Sequence, residues 1–200
     1  MEELAPGWLT TEFLTQCLHN EDGYPNVEVT QFSVFRAAPI EENRASCPLR
    51  VKIKYKDNKT SDHLQHLSLI IKSELKEGSV KEFVDSFECC ESVFYQHFLP
   101  KTVPLLETSV FAKSFFSPKF SIVALEDLKE NGFVMANKYK GLDFEHCRLF
   151  MSAIATLHAV SYAVIKEDPK FIESLGKEKL YTNDSPIQCA YKLMILSGMR

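Results

Sequence analysis

SIVALEDLKENGF, residues 121–133, decides how this chain is read. Ile122, Val123, Ala124 and Leu125 form an apolar run short enough for a buried strand, and it delivers Glu126 and Asp127 straight into a loop. Carboxylates at the end of such a strand cap the next element, solvate a turn, or face a ligand crevice. The segments around the stretch rank these roles.

Upstream, residues 27–32 and 49–55 alternate apolar and polar side chains and read as half-buried strands, the second followed by a polar turn at 57–62. Leu67, Leu69, Ile70 and Ile71 mark a third, deeper strand. Ser79 and Glu82 have capping-box spacing, so a helix is expected to start there. Phe83, Phe87, Cys90 or Glu91, Phe94 and Phe98 then recur at intervals of three and four, up to Pro100. Residues 107–116 and 120–125 read as two more strands. A short helix over 10–18 precedes the sheet. Beyond Gly132 the pattern turns helical, with Asp143 capping a helix to Ile165 whose inner face is expected to carry Cys147, Met151, Ile154, His158 and Ser161. A short helix follows over 169–175, and an apolar segment over 187–196.

Two charges stand in apolar surroundings. Lys72 follows Leu69, Ile70 and Ile71, and Glu91 lies on the Phe stripe, four positions after Phe87. Burying either charge alone costs several kcal/mol, on the order of what a folded domain has to spare, so each is the natural partner of the other. The alternative is that Lys72 emerges into water at the strand end and Glu91 sits at the helix boundary.

A strand lysine held by a helix glutamate, with two further strands leading to a loop, matches the nucleotide-binding arrangement of protein-kinase-like folds. The chain resembles the ecdysteroid kinase-like family, also called CHK kinase-like, relatives of choline kinases and aminoglycoside phosphotransferases. The resemblance runs in order through Pro6-Gly7-Trp8-Leu9-Thr10, Glu42-Asn43-Arg44-Ala45-Ser46, Leu69-Ile70-Ile71-Lys72 and Glu91-Ser92-Val93-Phe94-Tyr95. It continues through Leu125-Glu126-Asp127-Leu128 with Gly132-Phe133, Gly141-Leu142-Asp143 and Ala155-Thr156-Leu157-His158-Ala159. It implies an α+β protein-kinase-like fold. Residues 1–125 would be a nucleotide-binding lobe of about five antiparallel strands and a helix, residues 126–141 a hinge and linker, and residues 142–200 the start of an incomplete helical lobe.

The implied activity is ATP-dependent phosphorylation of a small-molecule hydroxyl, with a steroid as one candidate. Lys72 would position phosphates, Glu91 would hold Lys72, Ser46 belongs to the phosphate-facing turn, and backbone groups at Glu126, Asp127 and Leu128 would meet the adenine edge. Asp127 bracing the turn, with Glu126 solvated, stays open beside that role. Two positions depart from the family pattern: Glu41 stands where a glycine is usual, and Arg44 where an aromatic is usual. A carboxylate near a triphosphate weakens nucleotide affinity.

The family's His-Gly-Asp loop and its magnesium-binding aspartate are not matched, because these 200 residues contain no His-x-Asp and no Asp-x-Asp. Magnesium is expected for the family without ligands here, no residue is assigned as catalytic, and His158 reads as a hydrogen-bonded core histidine. This chain alone is therefore expected to be inactive. The competing expectations are a non-catalytic isoform that binds nucleotide or a partner, and a fragment.

Composition bounds the partners. The 23 basic residues are outweighed by 27 acidic ones, for a net charge of −4, which gives no footprint for nucleic acid. The acidic start lacks the positive charge of a signal peptide, and no stretch is expected to approach the ~18 apolar residues of a membrane span. The six cysteines show no zinc spacing and read as reduced thiols. A cytoplasmic protein with no membrane partner is the expectation.

Overall fold

Apolar–polar alternation produces three long strands, β1 (Val27–Arg36), β2 (Leu49–Asp57) and β3 (Ser61–Ser73), paired antiparallel in that order. The computed structural model describes residues 5–19, 24, 26–38, 48–57, 61–73, 90–106, 110–137 and 139–175. In β2, Leu49, Val51, Ile53 and Tyr55 are buried while Lys52, Lys54 and Lys56 face water, as a period of two dictates. Register places Val51 opposite Leu69 and Leu49 opposite Ile71, so one face of the sheet is continuously apolar. α1 (Thr11–His19) covers that face with Phe13, Leu14, Cys17 and Leu18. Its first turn is capped by the Thr10 hydroxyl, which accepts the Phe13 N–H at 3.2 Å. Truncating a fully buried residue such as Leu69 to alanine costs about 3 kcal/mol.

β5 (Ile122–Glu126) pairs with β3, and β4 (Ser114–Phe115) forms the edge, giving the order β1-β2-β3-β5-β4. Residues 122–125 are all buried: Ala124 lies in the α1-side core, and Val123 and Leu125 point to the opposite face. The strand expected over 107–116 is only two residues long where described, residues 107–109 lying outside the described set. Just before it, the Lys113 carbonyl accepts the Glu126 N–H at 2.9 Å, while the Lys113 N–H donates to the Glu126 carboxylate at 2.7 Å.

On the opposite face, α2 (Cys90–Val93), a π-helical turn (Phe94–Phe98), α3 (Leu99–Thr102) and a 3-10 turn (Val103–Leu105) succeed one another through 90–105. The sequence reading ends this helix at Pro100, and the structure carries it past. Proline has no N–H, and its ring crowds the carbonyl four residues back. The π turn, in which the Leu99 N–H reaches back to the Phe94 carbonyl, widens the helix where that conflict arises. The expected start at Ser79, with Phe83 and Phe87, lies outside the described residues.

α4 (Phe144–Glu167) starts where the sequence places it, the Asp143 carboxylate accepting the His146 N–H at 2.9 Å. Asp168 ends it and caps α5 (Pro169–Ser174) by accepting the Phe171 N–H at 3.0 Å. The expected inner face needs correction. Val160 and Val164 are buried, with Ile154, Leu157 and Ser161 half-buried, while Cys147, Met151 and His158 are exposed. His158 is two positions, roughly 200° around the helix, from Val160, which turns it away from the packed stripe. α4 is also long and apolar enough to cross a membrane by length and composition, with mean hydropathy 1.5 over an 18-residue window. This corrects the expectation that no stretch approaches a span: residues 149–165 contain no Asp, Glu, Lys or Arg.

Candidate functional site

β3 and β5 organise the site. Lys72 points to the face away from α1, because its neighbour Ile71 lies in the α1-side core. There it meets α2, and its ammonium donates to Glu91 Oε1 at 2.5 Å. The expected pair is present. Both side chains keep about a third of their surface in water, 31% and 38%, so the ammonium stays accessible to a further anion. Tyr95 lies close by in the π turn, its hydroxyl pushed up by burial and acted on by both charges.

At the other end of β5, both acids of the opening stretch are held by protein groups. Asp127 has the more buried carboxylate, with 2% of its side chain exposed. Arg50 of β2 donates to it from two nitrogens, Nε at 2.6 Å and Nη2 at 3.3 Å. The Ser68 hydroxyl donates at 2.8 Å and the Lys129 N–H at 3.3 Å, while the Asp127 N–H itself donates to the Ser68 carbonyl at 3.3 Å. Burial pushes the Asp127 carboxyl up, but the hydrogen bonds from Arg50 and Ser68, with the guanidinium charge, outweigh it and hold the group below its ordinary value. The Arg50 guanidinium is pushed up in turn by its hydrogen bond to Asp127. Glu126 is not simply solvated: it accepts the Lys113 N–H at 2.7 Å and the Asn131 amide at 3.1 Å.

The rest of the stretch forms one helical turn. Glu130, Asn131 and Gly132 donate to the carbonyls of Asp127, Leu128 and Lys129, and the Phe133 N–H closes back on Leu128 at 3.1 Å. Gly132 has a φ of +84°, the left-handed residue that such a closure requires. The turn is tied to β2 a second time by Lys52 and Glu130 at 3.1 Å, a pair more than half exposed. Among Glu126, Asp127 and Leu128, the first two backbone N–H groups are used, by Lys113 and Ser68. The Leu128 N–H has no acceptor among the described residues.

Register measures the distance between the two ends. Lys72 pairs with Val123 and Leu69 with Glu126, three residues or roughly 10 Å along the strands. Ile70 and Leu125 lie between them on the same face. Glu126 and Asp127 also line a cleft of about 420 Å³ with Tyr24, Lys52, Ser68 and Phe115, to which Lys72 does not contribute. A second cleft of about 770 Å³, between the helical segment and β4, contains none of the expected residues. Ser46, Glu41 and Arg44 lie outside the described residues. No group of three or more His, Cys, Asp or Glu side chains able to hold a metal occurs among the described residues.

Sequence reasoning missed Arg50 and Ser68. Both occupy polar positions of alternating strands, where a solvated side chain is the ordinary reading, and Arg50 is 77 positions from Asp127. The only local signal is an arginine in a strand otherwise furnished with lysines.

Nothing among proteins of curated function or among solved structures matches the chain. Residues 41–197 match the ecdysteroid kinase-like family. That span covers more than half of the sequence and includes Lys72, Glu91 and the opening stretch. With a five-stranded antiparallel sheet, a charge-paired helix on one face and a turn leading into further helices, the chain belongs to the ecdysteroid kinase-like family, a kinase-like phosphotransferase family of α+β fold.

Proposed function

We propose that this chain binds ATP on the sheet face bearing Lys72 and serves phosphoryl transfer to an alcohol group of a small molecule. Lys72 grips the phosphates, Glu91 aims Lys72, and the Leu128 N–H meets the base at the other end of β5. Ile70 and Leu125 supply the apolar surface between. The observation that carries this reading is the Lys72–Glu91 pair, about a third exposed, on the same face as the Asp127 brace and roughly 10 Å along the strands from the end of β5. A lysine held in this way is a positioned cation, and phosphoryl transfer relies mainly on positioning and charge stabilisation. Steroid alcohols are candidate acceptors through the family.

A second reading, nucleotide or partner binding without turnover, is favoured by Glu41 in the turn expected to face the phosphates and by the unmatched His-Gly-Asp loop of the family. Incubation with γ-labelled ATP and magnesium against hydroxylated steroids and amino alcohols separates the two. Label appearing in an acceptor, and lost in Lys72→Ala, supports transfer; ATP binding without labelled product supports the second reading.

A further inference from the structure

We propose that Arg50 is a positioning residue for the base end of this site, acting through Asp127 on the backbone of the hinge. The inference rests on the nucleotide reading above and goes beyond it by naming what sets the hinge. One carboxylate, 2% exposed, joins three pieces of chain: Arg50 from β2 by a two-point contact, Ser68 from β3, and the Lys129 N–H of the hinge turn itself. A buried ion pair is a poor way to gain stability, since well-packed apolar residues do as well. What it does supply is a single geometry, because a planar fork meets a carboxylate in one orientation.

The brace also lies in the right place. Arg50 pairs with Ile70, the residue two before Lys72 and on the same face, so the brace stands between the phosphate grip and the hinge. It fixes Asp127, the residue immediately before the Leu128 N–H. The Lys52–Glu130 pair is 53% exposed on both sides and too loose to replace it.

The test compares a ligand with a base and one without. ATP and inorganic tripolyphosphate are titrated calorimetrically into the wild-type chain, Arg50→Met, Ser68→Ala and Lys72→Ala. Misplacing a binding group by an ångström carries a large penalty, so Arg50→Met is expected to weaken ATP by about tenfold or more. Its tripolyphosphate affinity should equal that of the wild type, whereas Lys72→Ala weakens both ligands. Ser68→Ala, which removes one hydrogen bond and keeps the ion pair, is expected to shift ATP alone by a smaller factor, and it decides the matter if Arg50→Met does not fold. Arg50→Lys keeps the charge without the fork and should not restore ATP binding. Unchanged ATP affinity in Arg50→Met and Ser68→Ala, or equal losses for both ligands, overturns the inference and leaves the nucleotide reading standing. A wild-type chain that binds neither ligand overturns both.

Discussion

Glu91 and Asp127 are both acids with a basic partner, and exposure separates what the two pairs do. Lys72 and Glu91 keep about a third of their surfaces in water, where an ion pair contributes about 0–1 kcal/mol. Glu91→Gln should therefore change stability by less than about 1 kcal/mol while lowering ATP affinity, measured by denaturant melts alongside titration. A large loss of stability with unchanged affinity would make the pair a structural link. Asp127 behaves in the opposite way. Removing its charge leaves Arg50 without its partner, so Asp127→Asn should cost on the order of 3 kcal/mol.

The same carboxylate sets an acid limit. Its folded value is depressed below the ordinary 3.8, so its stabilisation is complete above that value and disappears as pH falls through the lower folded one. Melting temperature followed from pH 6 downward should fall more steeply for wild type than for Asp127→Asn. Parallel curves would show that other groups control the acid limb.

At the scale of elements, the closure of the turn after β5 depends on one glycine. Gly132 has a φ of +84° and nothing within 4 Å of where a Cβ would stand, so a substitution meets backbone strain rather than a clash. Gly132→Ala should cost about 1–2 kcal/mol, detectable as a lowered denaturation midpoint. A neutral substitution would mean that the turn relaxes freely.

The opening stretch was legible as strand, acids and turn because each rests on local chemistry: four consecutive apolar residues, then a glycine placed to stop a helical turn. The helix that continues past Pro100 was not legible, because a proline reads as a terminator and the π turn that accommodates it has no signature in spacing. His158 was misplaced for a related reason. An apolar helix offers several plausible inner faces, and only packing selects the one through Val160 and Val164.

For the whole molecule, the succession of strands along the chain and the Lys72–Glu91 pair followed from pattern and from the cost of burying a lone charge. Both partners are marked by apolar neighbours. The pairing of Arg50 with Asp127 escaped, because long-range pairing in a sheet is set by register, which a single sequence does not display. In the proposed function, what joins fold to activity is Lys72. Titration of ATP into the purified chain and into Lys72→Ala tests that most directly. Saturable binding by the wild type is expected, weakened about tenfold or more in Lys72→Ala, about 1.4 kcal/mol or more of binding free energy. Equal affinity in the two proteins, or no binding by the wild type, would contradict it.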